Sequence, residues 1–509
     1  MFIRKGKIEE REYQKNIFET AKDSNTLVVL PTGLGKTVIS VLVVDYRLSK
    51  YKGSKTLFLA PTKPLVNQHY KTFSGLMDVS LGMTSGETKK GDRQNVYESS
   101  QLTFSTPQTV ENDIERGIIN FSDFSLLIVD EAHHTVGNYA YVKIAKEYML
   151  KSAHPLILGL TASPASEQEK ISLICRNLGI SNVEIRGEDD PDVAPYVKTK
   201  TVEEIRLKLP NEILEIISYL KIFIQEQVAA LQNVGLLKDA SPNRINRRTI
   251  LMLQKSLQAR MFSGKRNFYT IRGIIITSKL LKLYHALNLI STQSVGAFNR
   301  FLEKMIKEGT SKTDKELVKT VEIKWMYEKS KKLLDEGLEH PKLEEINKIF
   351  SGGFSTDQKA IVFTQYRDTV DVIYDSVSRV KGIRPVKFIG QGKGGLSQKE
   401  QVNIIKDFEA GVYNVLVSTS VSEEGMSIKG VDLAVFYETI PSGIRSIQRR
   451  GRVGRFNAGK IFILITEGTN DEGYYWVSKR KESKMKKLIK NIKENPKTLK
   501  NDGTLNPFV

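Results

Sequence analysis

Three clusters in this 509-residue sequence have the residue types that phosphate chemistry needs. The first is Leu30-Pro-Thr-Gly-Leu-Gly-Lys-Thr37, which ends an apolar run and precedes a helical stretch. Glycines let backbone N–H groups approach phosphate oxygens, and a helix N-terminus favours their negative charge. Lys36 has the length to reach β- and γ-phosphates, and Thr37 offers a hydroxyl to Mg²⁺. The second cluster is Asp130-Glu131-Ala132-His133, directly after the apolar run at 126–129. A carboxylate at a strand's C-terminal end supplies an oxygen to a nucleotide's Mg²⁺, and an adjacent glutamate can orient or deprotonate the attacking water. The third is Gln448-Arg-Arg-Gly-Arg-Val-Gly-Arg455. Arginines presented by a neighbouring domain stabilise a transferring phosphoryl group only when the domains close. A basic turn that grips nucleic-acid phosphates is the other use of the same residues.

The elements that must position these clusters read as two series of alternating strands and helices. Apolar, β-branched runs at 27–30, 56–60, 126–129 and 156–160 predict a parallel, helix-covered sheet over residues 1–195. A second series at 360–363, 386–389, 415–418, 433–436 and 461–465 predicts another over residues 341–478. Between them, residues 196–340 lose the strand pattern, and apolar residues recur at helical spacing, as in Ile213, Ile216, Ile217, Leu220, Ile224 and Val228. This predicts a helical insertion between two α/β domains, and over 479–509 a lysine-rich helix fraying into a basic tail.

Charge narrows the partner. Lys and Arg total 77 against 58 Asp and Glu, a net charge of +19, which calls for a polyanion, either nucleic acid or an anionic membrane. Residues 241–300 hold eleven basic residues and no acid, and residues 479–500 hold ten against two, so these two windows carry the whole excess. An apolar content of 40% excludes global disorder. Cys175 is the only cysteine, which excludes an internal disulfide or a cysteine-rich zinc module and fits a reducing intracellular compartment. His69, His134 and Cys175 form no recognisable metal set. The charged N-terminus has no signal region and no run approaches a membrane span, so a soluble protein is expected, and the order of its motifs, which fits nucleic acid, argues against a membrane partner.

The order of the motifs resembles that of superfamily-two helicases of DEAH type. Arg11-Glu-Tyr-Gln14, Pro31 to Thr37, Ala60-Pro-Thr-Lys-Pro-Leu65, Asp130 to His133, Thr161-Ala-Ser163, Ile361-Val-Phe-Thr-Gln365, Ser418 to Ile428 and Gln448 to Arg455 follow that order. The segments 130–141, 392–401, 420–425 and 436–442 are similar to archaeal Hef and the Fanconi-anaemia M helicase, with Dicer and the viral-RNA-sensing helicases as the next group. The resemblance implies an α/β fold of two RecA-like parallel-sheet domains with an inserted all-helical, thumb-like basic domain. It implies ATP and Mg²⁺ as cofactors, forked or branched DNA as the substrate in repair and replication-fork processing, and repair or replication proteins as partners. It also implies 3′ to 5′ travel.

The same resemblance assigns roles. Gln14 recognises adenine with Arg11 assisting; Thr32, Gly33, Gly35, Lys36 and Thr37 hold phosphates; Thr37 and Asp130 hold Mg²⁺, and Glu131 is the general base. Gln448, Arg452 and Arg455 approach the γ-phosphate from the second domain, with Arg455 the arginine finger. Thr62, Thr106, Gln365 and Thr419 contact the nucleic-acid backbone, and Thr161 and Ser163 link hydrolysis to domain movement. Arg247, Arg248, Arg260 and Lys265 of the acid-free stretch hold duplex or junction arms. Ser427 stands where the family usually has Asp, and the nuclease signature with which Hef continues is absent, so no nuclease activity is expected. Two other readings stay open: a double-stranded-RNA-dependent ATPase of the Dicer-like group, and a clamp whose ATP site is only structural.

Overall fold

The aliphatic runs of the first third become strands covered by helices on both faces: β1 (Thr26–Val29), β2 (Lys55–Leu59), β3 (Leu81–Met83), β4 (Leu102–Ser105), β5 (Phe124–Val129), β6 (Ile157–Thr161) and β7 (Asn182–Ile185). The structure is a computed structural model and describes residues 2–137, 139–162, 168–197, 200–237, 245–263, 267–390, 395–419, 428, 430–439 and 459–494. The seven strands pair in parallel in the order β3-β4-β2-β5-β6-β1-β7. Alternate residues feed opposite faces, Leu57, Leu127 and Val129 on one, Phe58, Leu126 and Ile128 on the other. A strand buried on both sides reads as a continuous apolar run. The order also puts the C-terminal ends of β5, β6 and β1 side by side, with Val29 level with Thr161 and Val129 level with Gly159.

The second sheet contains β8 (Lys200–Leu207), β9 (Ala360–Phe363), β10 (Pro385–Phe388), β11 (Val415–Ser418), β12 (Leu433–Phe436) and β13 (Gly459–Thr466), in the parallel order β10-β11-β9-β12-β13-β8. Here the structure differs from the sequence reading, which put residues 196–340 into the helical insertion. β8 precedes the helices yet pairs with β13 along its whole length. It is a polar edge strand, and an edge strand exposed to water lacks the apolar run that marks a central one. The all-helical section begins with the helix Asn211–Asn233.

That section has its own core, including Ile213, Leu220, Ile276, Leu283, Phe298 and Ile323. It is joined to the second sheet by a buried polar hub around the π-helical turn Leu289–Gln293. Thr369 donates to Gln293 Oε1 at 3.0 Å, Tyr437 donates to the Gln293 carbonyl, and Lys342 donates to the Thr292 carbonyl at 2.8 Å while pairing with Asp471. Burial, then the charge of Lys342, pushes His340 down to about 3. The ring is therefore neutral, and its Nε2 donates to the Ser291 carbonyl at 3.3 Å.

The lysine-rich helix expected at this end starts earlier than residue 479 and packs. Residues 470–494 form one helix, Asn470–Glu494, of 25 residues. Met485 is buried, and Leu488 packs against the apolar cluster on one face of the first sheet. A helix that starts beside the second sheet thus reaches back to the first domain. Among the described residues, no helix is long and apolar enough to cross a membrane.

Candidate nucleotide site

The phosphate loop leaves β1 and turns into the helix Lys36–Lys50. Gly33 and Gly35 have φ of 91° and 82°, in the left-handed region that glycine enters without a Cβ clash. A Cβ on Gly35 would lie 2.3 Å from Gln14 Nε2, so this glycine also permits close approach of the N-terminal helix Glu12–Ala21. Tyr13 Oη and Gln14 Nε2 donate to the Leu34 carbonyl at 2.6 and 3.3 Å, and Gln14 Oε1 accepts from the Arg11 N–H at 3.1 Å. Arg11 lies 4.9 Å over the Tyr196 ring. Gln14 and Arg11 thus stand against the phosphate loop, and Gln14 fixes its conformation. Lys36 Nζ donates to the Leu30 carbonyl at 2.9 Å, bridging the same loop. Thr32 and Thr37 are half-buried.

Asp130 and Glu131 follow β5 directly, two strands from β1. The Asp130 carboxylate is buried, and its Oδ2 lies 2.7 Å from His69 Nε2. Burial alone would raise this carboxyl, but His69 and the positive charge of Lys36 outweigh it and hold it below its usual range. Glu131 has φ of 50°, the left-handed region, unlike any other non-glycine residue among those described. Such a conformation costs about 1–3 kcal/mol and persists where surrounding structure imposes it. Its Oε2 is buried without a hydrogen bond among the described residues, although His133 Nδ1 is 3.3 Å away. That nitrogen is 3.1 Å from Thr161 Oγ1 at the end of β6. An unsatisfied carboxylate oxygen beside a phosphate loop is suited to take a proton from water.

The donor set fits a hard divalent cation: one carboxylate held anionic and a threonine hydroxyl at a helix start, the sparse protein ligation that Mg²⁺ uses beside phosphates. Thr37 and Asp130 would hold the ion, and a Mg²⁺ bound there would supply positive charge to the nucleotide's phosphates.

Four of the remaining expected contacts lie beyond strand ends. Thr62 and Thr106 precede helices that follow β2 and β4; Thr62 Oγ1 is buried without a hydrogen bond among the described residues, and Thr106 Oγ1 is 2.9 Å from Thr109 Oγ1. Gln365 is exposed beyond β9. Thr419 is buried beyond β11, and its N–H donates to Phe388 at 3.1 Å. Arg247, Arg248 and Arg260 are exposed on the helix Arg247–Phe262 of the insertion, far in sequence from the loop. Ser163, Lys265, Gln448, Arg452 and Arg455 lie outside the described residues.

Sequence reasoning missed His69 and the aromatic pair Tyr13 and Tyr196. The signal for His69 was present: it lies on the buried stripe Val66, His69, Phe73 of its helix, and a histidine on an apolar stripe needs a polar partner.

Two parallel-sheet domains, with a phosphate loop and an Asp-Glu-Ala-His turn at the ends of strands separated by one strand in the first, define the motor of a superfamily-two helicase. Family comparisons agree: type III restriction enzyme res subunit over residues 7–166, helical bundle of an ATP-dependent RNA helicase over 212–333, and helicase conserved C-terminal domain over 341–457. The Hef helicase domain of Pyrococcus furiosus has 40% sequence identity and a TM-score of 0.72, covering 94% of this chain and 100% of that one. A Methanocaldococcus jannaschii protein named as an ATP-dependent RNA helicase is 39% identical over 96% of this chain and 62% of its own. The ATP-dependent DNA helicase MPH1 of Scheffersomyces stipitis is 32% identical over 93% of this chain and 50% of its own. The chain therefore belongs to the superfamily-two helicases of the Hef and Fanconi-anaemia M type. It spans 62% and 50% of the length of those two curated relatives.

Proposed function

We propose that this chain is an ATP-driven DNA helicase or translocase that acts on forked or branched DNA in repair and replication-fork processing. The observation that carries the reading is the convergence at the ends of β1, β5 and β6. Lys36 bridges the phosphate loop, Asp130 is held anionic by His69, and His133 joins the Asp-Glu-Ala-His turn to Thr161. Gly33 and Gly35 cradle phosphates, Lys36 neutralises them, and Glu131 takes a proton from the attacking water. Arg455, with Gln448 and Arg452, completes the site from the second domain when the cleft closes. The His133–Thr161 contact is the route by which a change at Glu131 reaches β6 and Ser163. Thr62, Thr106, Gln365 and Thr419 grip the DNA backbone across the strand ends of both sheets. The insertion, joined to the second sheet through Gln293, travels with that domain and carries Arg247, Arg248, Arg260 and Lys265 with it. Phosphate contacts of this kind position the protein without reading sequence.

ATP turnover measured with forked DNA, linear duplex DNA and double-stranded RNA tests this. Fork-stimulated turnover is expected, and stimulation by RNA alone overturns the reading. That second reading, an RNA-dependent ATPase, is favoured by the printed name of the M. jannaschii relative.

A further inference from the structure

We propose that the outer end of the insertion's helical hairpin is an aromatic wedge that stacks on unpaired bases at a DNA branch point, a role distinct from its arginine–phosphate contacts. The inference rests on the branched-DNA reading above. The helices Arg247–Phe262 and Phe268–Asn288 run antiparallel, because Gln254 donates to Ser278 at 2.8 Å while Leu257 packs where a Cβ on Gly273 would stand 2.9 Å away. The last turn of one helix therefore lies beside the first turn of the other. The insertion's core takes Ile250 from the first and begins at Ile276 in the second, so this end extends past it.

Three rings stand in solvent there: Phe262 is 91% exposed, Phe268 74% and Tyr269 59%. Phe268 and Tyr269 meet edge to face at 5.9 Å. Single exposed aromatics are ordinary, but three within eight residues form a patch that calls for a partner. The patch is pre-set, since Asn267 Oδ1 accepts from the Thr270 N–H at 2.8 Å and caps the turn that carries Phe268 and Tyr269.

Charge selects the occupant. Arg260 and Arg272 are exposed within four residues of the rings in sequence, and residues 241–300 contain no acid, although Glu316 of a later helix pairs with Lys279 and faces Arg272. An apolar protein surface gains nothing from that field. Bases on a phosphate backbone gain from both parts, a flat π-face for each ring and an anion for each arginine. Such wedges separate stacked base steps in other settings by the same physics.

The test uses the full chain with Phe262→Ala, Phe268→Ala and Tyr269→Ala combined, and forks that carry 2-aminopurine at the branch. Wild type is expected to alter the 2-aminopurine fluorescence and to prefer forks over linear duplex. The triple variant is expected to lose about tenfold or more in fork affinity, with the fluorescence change abolished and the salt slope unchanged. Phe268→Trp alone is expected to retain both signals. Wild-type fork affinity and fluorescence in the triple variant overturn the wedge. So does a variant that alters only self-association in sedimentation, which would make the patch a contact between copies. A wild type with no preference for forks overturns instead the branched-DNA reading beneath it.

Discussion

The nucleotide site and the outer helical hairpin place charge in opposite ways. At the ends of β1, β5 and β6, Asp130 is buried against His69, Lys36 is tied to the Leu30 carbonyl, and Gln14 is locked to the Leu34 carbonyl. On the hairpin, Arg247, Arg248 and Arg260 stand exposed on a helix that buries only Ile250 and Leu257. Bond-making chemistry depends on groups held to a fraction of an ångström. A grip on a polymer that must be released depends on reach and on charge that salt can screen. The hub of Lys342, Asp471 and Gln293, which joins the insertion that bears the hairpin to the second sheet, is as buried as the nucleotide site although no chemistry is expected there.

The largest effect that can break this comparison is at the nucleotide site. Glu131→Gln or Lys36→Ala is expected to reduce ATP turnover by about a hundredfold or more while fork binding, read by anisotropy, persists. Normal phosphate release from either variant would refute the assignment. At the hub, Lys342→Met leaves Asp471 buried and unpaired, and is expected to cost about 3–5 kcal/mol in urea unfolding. Adding Asp471→Leu should restore most of that loss, and no recovery would mean that the pair is not the joint. On the hairpin, replacing Arg247, Arg248, Arg260 and Lys265 with Ala should flatten the log–log salt dependence of fork binding by about 3 to 4. An unchanged slope would remove these residues from the grip.

Smaller effects sharpen the contrast. His69→Ala takes away the group that orients Asp130, and is expected to raise the Mg²⁺ concentration needed for half-maximal turnover by about tenfold. An unchanged Mg²⁺ titration would make His69 a packing residue. Gln14→Ala removes one hydrogen bond to the phosphate loop, worth about 1 kcal/mol, so KM for ATP should rise about fivefold with little change in kcat. A fall in kcat alone would place Gln14 in the chemistry instead.

What was legible in the sequence follows from how locally each feature is encoded. The phosphate loop and the Asp-Glu-Ala-His turn each occupy a few consecutive residues after an apolar run, so chemistry and position are read together. His69 was not legible as a partner of Asp130, 61 residues away, because only the folded sheet brings its helix over the end of β5. β8 escaped because an edge strand with exposed Thr201, Glu203 and Glu204 shows no apolar run. The helix Asn470–Glu494 reads as a fraying lysine-rich segment until Met485 and Leu488 are seen packed. The outer hairpin announced its charge plainly, but its rings were hidden among apolar residues at helical spacing.

The pairing of β8 with β13 also governs the order in which the chain can be finished. Lys200 is level with Gly459, so the second sheet stays two strands short until β13 follows the whole insertion and four further strands off the ribosome. The first domain's sheet is complete at β7, and the helical bundle has its own core, so both can form earlier on the emerging chain. By folding first, the bundle shortens the span that must close before β8 finds its partner. A ribosome paused before residue 459 would hold a molecule with its nucleotide loop already built and β8 waiting as a bare polar edge, protected from misassociation by its own charged side chains.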